Sequence, residues 1–258
     1  MKKFCVIGNP VSHSLSPAIF KYLFNYFNIN ATYDSVLLDT HESFVDFIKN
    51  NIDLYDGYNI TSPYKSAAFN TINHQDSLAI ELESVNCIKI DNSQLLGYNT
   101  DYDGFINMIS LNEIQLNNKK VVVLGYGGAA KAIIYSLLKE HNCDIYLYGR
   151  NFNKIDNLIK QIQPKFEERK ISLYNNTIIN DLILINCLPL KIDSNNLHSL
   201  LSYLPVSSID MCIDINYVES DFSLEIKKHC EIILGIDMLI YQALKSFDIW
   251  FNCNCLQK

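Results

Sequence analysis

Residues 119–138, KKVVVLGYGGAAKAIIYSLL, decide the fold predicted for this chain. An apolar strand ends at Leu124, and Gly125, Gly127 and Gly128 separate it from an apolar helical pattern. The first glycine permits a tight turn, and the next two let backbone N–H groups approach a pyrophosphate at the helix N-terminus. Ala130 stands where this fingerprint permits alanine for its third glycine. The stretch predicts a Rossmann-like dinucleotide-binding domain, and a tight turn without a ligand is the alternative.

The next strand, DIYLYGRN (residues 144–151), indicates which dinucleotide is bound. An NAD site usually ends this strand with Asp or Glu, which binds the ribose 2′-hydroxyl. Here the strand ends at Arg150, and Lys154 follows one helical turn later. A guanidinium suits a 2′-phosphate through paired hydrogen bonds, so NADP is favoured over NAD. The alternative is that Arg150 only faces solvent.

Short β-rich runs alternate with helical patterns along nearly the whole chain, which predicts an α/β fold with largely parallel sheets. The rhythm breaks near LGYNTDYDGF (residues 96–105), and we expect two domains. The first covers residues 1–100 and regains the C-terminal helix, residues 238–258. The second covers residues 101–237. A cleft between two such domains is a usual place for a small-molecule site.

Composition narrows the class of protein. The chain has 258 residues and a net charge of −7, which argues against nucleic acid as the main partner. Its apolar runs are shorter than the ~18 residues of a membrane span, and its N-terminus lacks a secretory pattern, so we expect a cytoplasmic protein. The eight cysteines lack metal-site spacing, which predicts core thiols and no bound metal. We expect a monomer or homodimer.

Two polar stretches of the first half point to a binding site. GNPVSHSLSP (residues 8–17) places three serines, a histidine and two prolines directly after a strand, more than a plain turn needs. YNITSPYK (residues 58–65) also follows a strand. There Pro63 fits the first turn of a helix that Thr61 or Ser62 would cap.

Lys65 and Asp101 are the candidate acid–base pair. A lysine in the first turn of a helix gains nothing from the helix dipole, so it needs a nearby carboxylate. Asp101, at the proposed domain boundary, offers one. Such a pair in a cleft can pass a proton to or from a reacting oxygen. The alternatives are an exposed lysine and an aspartate that caps the following helix.

The motifs together resemble the shikimate dehydrogenase family. GNPVSHSLSP, YNITSPYK, GYNTDYDGF, LGYGGAAKA and GIDMLIYQALKSF occur in the family's order and at its spacing, from about Val6 to Trp250. The resemblance implies NADP-dependent interconversion of 3-dehydroshikimate and shikimate, a step of aromatic amino-acid biosynthesis. It also implies a substrate domain followed by the dinucleotide-binding domain.

The resemblance assigns roles to individual residues. Lys65 and Asp101 match the catalytic pair. The residues that match substrate ligands are Ser14, Ser16, Thr61, Asn86, Tyr217 and Gln242. The residues that match cofactor contacts are Gly125, Tyr126, Gly127, Gly128, Ala129, Gly149, Arg150, Asn151, Lys154, Ile215 and Gly235. With Ser16 as N-cap and Pro17 as the first helical residue, the helix start and its hydroxyls would receive the substrate carboxylate. A capped helix alone leaves Ser14 unexplained.

The chain departs from the family on the cofactor side. The family usually has Asn-Arg-Thr or Asn-Arg-Ser where this chain has Gly149, Arg150 and Asn151, so a side-chain donor is lost at Gly149. In NCLPLKI (residues 186–192), Leu188 replaces a hydroxyl residue and Lys191 replaces a glycine. Two rival functions follow: a quinate/shikimate dehydrogenase that uses NAD, and a non-catalytic NADP-binding module of the same fold.

Overall fold

The computed structural model describes residues 1–176 and 180–254, so Cys255 lies outside the described part. The chain divides into two compact units, Met1–Gly104 with Leu239–Lys258, and Phe105–Met238. Each unit has its own six-stranded sheet, and helices alternate with the strands along the chain. The predicted α/β class is confirmed.

The first unit is built on a mixed sheet. Its strands are β1 (Lys2–Gly8), β2 (Ala31–Leu37), β3 (Gly57–Ile60), β4 (His74–Gln75), β5 (Cys87–Asp91) and β6 (Gln94–Tyr98). Its helices before residue 100 are α1 (Ser16–Tyr26), α2 (His41–Asn50), α3 (Lys65–Thr71) and α4 (Ser77–Leu82). The strand order is β2-β1-β3-β5-β6-β4. Strand β1 lies parallel to β2 and β3, whereas β5 runs antiparallel to both β3 and β6.

The antiparallel hairpin β5–β6 differs from the largely parallel sheet that the sequence predicts. Its two-residue turn is Asn92-Ser93, and both residues have positive φ, 49° and 58°. This conformation matches the twist of a hairpin and suits asparagine, which tolerates the left-handed region. The hairpin brings the chain that follows β6 back to the end of the sheet at which β5 begins.

The second unit has a fully parallel sheet in the order β12-β11-β10-β7-β8-β9. Its strands are β7 (Lys120–Leu124), β8 (Asp144–Tyr148), β9 (Ile171–Leu173), β10 (Leu182–Asn186), β11 (Ile209–Asp214) and β12 (Glu231–Leu234). Its helices are α6 (Gly128–Glu140), α7 (Phe152–Ile162), α8 (Ser194–Tyr203) and α9 (Asp221–Ile226). The divisions between the units fall within α5 (Asp101–Leu111) and α10 (Ile236–Phe251).

Burial of strand β7 on both of its faces explains why its sequence is continuously apolar. Val121 and Val123 belong to one buried cluster, and Val122 and Leu124 belong to another. Because side chains alternate between the faces of a strand, the sheet of the second unit is covered on both sides. The continuous apolar strands are explained by this arrangement.

An aromatic cluster packs α10 onto the sheet of the first unit. Phe4 of β1 stacks on Trp250 of α10, with ring centroids 4.4 Å apart, and Phe20 of α1 lies 5.0 Å from the same ring. The indole Nε1 donates to the Ile88 carbonyl over 2.9 Å. Burial of these large side chains and this hydrogen bond fix the position of α10 within the unit.

The described cysteines are free thiols, of which four are buried: Cys5, Cys87, Cys143 and Cys212. The remaining three, Cys187, Cys230 and Cys253, are partly buried. Among the residues described, no helix has the length and apolar character needed to cross a membrane.

Burial predicts that the core thiols do not react in the folded protein. It raises the pKa of Cys87 and of Cys143 to about 12, so both remain protonated at about pH 8, where a free cysteine is partly thiolate. Iodoacetamide should label Cys143 and Cys87 only after urea unfolds the chain, and peptide mass spectrometry measures this. The partly buried Cys253 serves as the native-state comparison. Rapid labelling of Cys143 in the native protein would contradict the packing described here.

Candidate active site

The polar motifs of the first half meet at one edge of the first sheet, by which we mean the side formed by the ends of β1, β3 and β6 and the start of β5. Strands β1 and β3 are parallel, so residues 9–16 and 61–65 leave the sheet at the same end. Because β5 runs antiparallel to β3, its starting end, next to Asn86, lies there too, and the Ile60 N–H donates to the Asn86 carbonyl over 2.8 Å. Strand β6 ends at this edge beside Asn86, whose N–H donates to Tyr98 over 3.0 Å. Asp101 follows three residues later.

Lys65 and Asp101 form a close ion pair. The Lys65 Nζ lies 2.6 Å from Asp101 Oδ2, and the two side chains are 15% and 6% exposed. Lys65 is the first residue of α3, and Asp101 is the first residue of α5. The Asn99 Oδ1 accepts from the Asp101 N–H over 3.1 Å, which fixes the start of α5. Asp101 is therefore not a helix cap, and Lys65 is not an exposed surface lysine.

Asn86 holds the other carboxylate oxygen of Asp101. The Thr100 N–H points at the Asn86 side chain over 2.7 Å, and an N–H can only donate, so the facing atom is Oδ1. The opposite atom is then Nδ2, which donates to Asp101 Oδ1 over 2.8 Å and to Thr100 Oγ1 over 3.0 Å. Asp101 therefore accepts at both oxygens, as an ionised carboxylate does.

Ser14 and Ser16 occupy the start of α1, but not as the sequence predicts. The helix begins at Ser16, its N-cap is Leu15, and no side chain of the N-cap bonds to it. The predicted cap at Ser16 is wrong. The Ser14 Oγ accepts from the Ser16 N–H over 3.3 Å, so Ser14 satisfies the helix start from outside. The local structure thus explains Ser14, which the capped-helix alternative had left without a role.

Pro63 also lies outside the helix that it was expected to begin. Helix α3 starts at Lys65, and its N-cap, Tyr64, makes no side-chain capping bond, so the caps predicted at Thr61 and Ser62 are wrong. Pro63 instead occupies a turn that the Tyr64 N–H closes on the Thr61 carbonyl over 3.0 Å. Pro63 is the third residue of this turn, and its peptide bond with Ser62 is cis, the arrangement that a type VI turn contains.

Thr61 and Gln242 also lie near this edge. An ideal Cβ on Gly8 would stand 2.3 Å from Thr61 Cγ2, so the absence of a side chain at Gly8 lets Thr61 pack against the end of β1. From α10, the Gln242 Oε1 lies 3.4 Å from Thr100 Oγ1. Five predicted substrate ligands of the first unit therefore lie at the sheet edge that carries the ion pair: Ser14, Ser16, Thr61, Asn86 and Gln242.

In the second unit, the glycine loop has the geometry that its sequence predicts. Gly125 follows β7 with φ of +110°, a conformation that side chains disfavour. Gly127 is the N-cap of α6 and contributes no side-chain bond, and an ideal Cβ there would meet nothing within 4 Å. The N-terminal N–H groups of a 13-residue helix thus face open space at the end of a buried strand. Gly128 and Ala129 form the first turn of this helix.

The neighbouring strand end carries the cationic residues. Gly149 is buried against the Tyr126 ring, since an ideal Cβ there would lie 3.0 Å from Cδ1 and Cε1. The ring of Tyr126 occupies the space that a longer residue at position 149 would need. The Lys154 Nζ lies 5.9 Å from the Tyr126 ring centroid, and Arg150 is exposed. The Asn151 Oδ1 caps α7 by accepting from the Lys154 N–H over 3.0 Å.

Ile215 and Gly235 lie on adjacent loops after β11 and β12. An ideal Cβ on Gly235 would stand 2.1 Å from the Ile215 carbonyl oxygen, so only glycine permits this approach. The Gly235 N–H donates to the Asn216 carbonyl over 3.1 Å. Tyr217 follows on the same loop of the second unit.

Asp214 and Asn216, which the sequence analysis did not single out, anchor this loop. The Asp214 Oδ1 accepts from the backbone N–H and Nδ2 of Asn216 over 3.0 and 2.8 Å. Asn216 Nδ2 also donates to the Leu188 carbonyl over 3.1 Å and so holds the divergent loop after β10. Burial raises the pKa of Asp214, and its hydrogen bonds to Asn216 counteract part of that rise. The sequence signal for these two residues was the stretch DIN (residues 214–216), which places Asp and Asn at the end of an apolar strand.

The described residues, 1–176 and 180–254, contain no group of three or more His, Cys, Asp or Glu side chains that could hold a metal ion.

Known proteins share both the sequence and the fold of this chain. The family model described as the shikimate dehydrogenase substrate binding domain matches residues 6–88. The shikimate dehydrogenase (NADP(+)) of Caldicellulosiruptor bescii is 32% identical over 264 residues, which cover 98% of this chain and 90% of the relative. The crystal structure of shikimate dehydrogenase from Aquifex aeolicus is 27% identical, with a TM-score of 0.84 over 98% of this chain and 93% of that one. A shikimate dehydrogenase crystallised with NADP+ is 28% identical, with a TM-score of 0.82 over 98% and 91%.

The contact between Gly149 and Tyr126 predicts that the two positions are coupled. In a Gly149→Ala variant the new Cβ must displace the Tyr126 ring, which we expect to cost about 1 kcal/mol of unfolding free energy. In a Tyr126→Ala background only Ile155 Cδ1, 3.3 Å from the ideal Cβ, still crowds the position, so the same substitution should cost clearly less. Urea unfolding of the four proteins measures the difference. Equal costs in both backgrounds would show that the ring does not fill this space.

Proposed function

The chain belongs to the shikimate dehydrogenase family, and from this we propose that it interconverts 3-dehydroshikimate and shikimate with NADP(H), using Lys65 and Asp101 as its acid–base pair. The observation that carries this proposal is the 2.6 Å contact between Lys65 Nζ and Asp101 Oδ2 at the edge where the candidate substrate ligands lie. An ion pair beside hydroxyl and amide side chains suits proton transfer to an oxygen of a hydroxylated ring.

The first unit is proposed to bind the substrate. Of its residues, Ser14 and Ser16 are assigned to the substrate carboxylate, and Thr61, Asn86 and Gln242 to the hydroxyl groups or carboxylate. The match of residues 6–88 to a substrate binding domain supports this assignment. Tyr217, a residue of the second unit, is assigned to the carboxylate by the family resemblance alone. Hydroxyl and amide donors suit a carboxylated polyol because each can pair with one of its oxygens, and a missing partner would leave a buried polar group unsatisfied.

The second unit is proposed to hold NADP(H). Gly125, Tyr126, Gly127, Gly128 and Ala129 form the loop that would receive the pyrophosphate at the start of α6. Gly149, Arg150, Asn151 and Lys154 lie at the adjacent strand end, where the two cations suit a 2′-phosphate. Ile215 and Gly235 are assigned to the nicotinamide. The open space above Gly127 fits such a group. The chemistry that the bound cofactor supplies is hydride transfer.

The proton follows a path that the chain itself provides. The Lys65 ammonium donates a hydrogen bond to the substrate carbonyl oxygen and gives it a proton as negative charge develops there. Asp101 orients the Lys65 ammonium, because its carboxylate accepts a hydrogen bond from Nζ over 2.6 Å. Asn86 holds that carboxylate in place through its other oxygen. In the oxidation of shikimate the same pair takes up the hydroxyl proton.

One assay tests the proposed function against its rivals. The purified protein is mixed with shikimate and NADP+, and NADPH absorbance is followed. Initial rates are then compared between NADP+ and NAD+, and between shikimate and quinate. Fast turnover of shikimate with NADP+ is expected because Arg150 replaces the acidic residue of an NAD site. A preference for NAD+ and comparable rates on quinate would favour a quinate/shikimate dehydrogenase. Melting shifts with both ligands but no turnover would identify a non-catalytic binding module.

Removing the ammonium should abolish most of the catalysis without harming the cofactor site. We expect Lys65→Ala to lower kcat at least ~100-fold, the usual size of general acid–base assistance. The dissociation constant for NADP+, measured by calorimetry, should stay within about twofold because Lys65 lies outside the glycine loop. Lys89→Ala is the matched control, since Lys89 is a lysine of the same unit whose Nζ bonds Asn252. Wild-type turnover in the Lys65 variant would remove this residue from the mechanism.

A further inference from the structure

A chain of hydrogen bonds runs through the first unit from β2 to the ion pair. Tyr33 on β2 donates to Asn59 Oδ1 over 2.8 Å, and Asn59 Nδ2 donates to Ser246 Oγ over 2.9 Å. Ser246 Oγ lies 3.3 Å from Thr100 Oγ1, which accepts from Asn86. We call Tyr33, Asn59, Ser246 and Thr100 the polar network. Its last three members are at most 5% exposed.

The direction of these bonds is fixed by backbone groups. The amide of Asn59 faces the Asn86 carbonyl over 3.3 Å, and a carbonyl can only accept, so the facing atom is Nδ2. The opposite atom is then Oδ1, and the Tyr33 hydroxyl must donate to it. Burial raises the pKa of Tyr33, so the hydroxyl keeps the proton that it donates to Asn59.

Ser246 is the central member of the polar network. Its single hydrogen goes to the Gln242 carbonyl one turn earlier in α10, over 2.9 Å. Its lone pairs face Asn59 Nδ2 and the Thr100 hydroxyl, so its full bonding capacity is used. A fully buried hydroxyl with three partners on three segments holds those segments in one arrangement. Thr100 then supports Asn86, and Asn86 supports Asp101.

We propose that Tyr33 and Ser246 are positioning residues of the substrate site, Ser246 for the Asn86–Asp101 arrangement and Tyr33 for Asn59, whose Nδ2 faces the Asn86 carbonyl. The proposal rests on the proposed function, because it assigns Asn86 and Asp101 their roles there. Neither Tyr33 nor Ser246 touches the ion pair, so each acts through its neighbours. Loss of either hydroxyl leaves a polar partner of the network unsatisfied and free to turn.

Tyr33→Phe tests the Asn59 end of the network. This variant keeps the ring, which stacks on Phe20 at 4.4 Å, and removes only the hydroxyl. Asn59 then loses the donor to its Oδ1 and supports Asn86 less firmly, so we expect the KM and the calorimetric dissociation constant for shikimate to rise about tenfold, the size of effect that one lost hydrogen bond brings. The kcat should change less than about threefold, and NADP+ affinity should not change. Tyr58→Phe is the control: its hydroxyl bonds only the Asn51 carbonyl in the same unit.

Ser246→Ala tests the end of the network near Asp101. We expect kcat to fall about tenfold, because a looser Asn86 holds Asp101 less precisely, while NADP+ affinity stays unchanged. Ser136→Ala is the control, since Ser136 is an equally buried helical serine, of the second unit, whose hydroxyl bonds the Ile133 carbonyl. If the Ser246 variant does not fold, the Tyr33 variant alone decides the proposal.

The outcomes separate this proposal from the proposed function. If the wild-type protein turns over shikimate but Tyr33→Phe matches Tyr58→Phe in KM, the positioning role is wrong and the function stands. Equal changes of kcat and KM in the variants and their controls would show a merely structural role and overturn it as well. If the wild-type protein neither binds nor oxidises shikimate, the function fails, and the network has no such ligand to position.

Discussion

The ion pair between Lys65 and Asp101 is the interaction on which the site of the first unit depends. A carboxylate that is 95% removed from solvent is costly unless its charge is paired and its oxygens are hydrogen-bonded. Lys65 satisfies one oxygen and Asn86 satisfies the other. The chain brings these residues together from three separate segments through the ends of β3, β5 and β6. The mixed sheet of the first unit, with its antiparallel hairpin, is therefore what makes the pair possible.

The second unit depends on a different constraint, the close approach of backbone segments at glycines. Gly125 adopts a positive φ beside the Cys187 carbonyl, and Gly235 lies against the Ile215 carbonyl, where a side chain would collide. Directly after β8, Gly149 leaves room for the Tyr126 ring. The departure from the family pattern at position 149 is thus matched by an aromatic residue in the glycine loop. Gly149 and Tyr126 thus form one packing contact, and Lys154 lies beside it.

The sequence predicted the α/β class and the strand–turn–helix of residues 119–138 because each has a local signature, and the partners of the ion pair were predicted through the family resemblance. The sequence failed where the outcome depended on contacts between distant segments. The start of α1 is satisfied by Ser14 and not by Ser16, a choice set by the turn that precedes the helix. Pro63 suits either a turn or a helix start, and only the tertiary structure decides. Tyr33 and Ser246 carry no motif, since their importance comes from partners that are far away in the chain.

The central claim is that Lys65 and Asp101 act as one unit, and a double-mutant cycle tests it most directly. The kcat for shikimate oxidation is measured for the wild-type protein, Lys65→Ala, Asp101→Asn and the double variant. Residues that act together are strongly non-additive, so the double variant should be no slower than the slower single variant, within about threefold. If the two losses multiply in the double variant, the residues act independently and this account of the site is wrong.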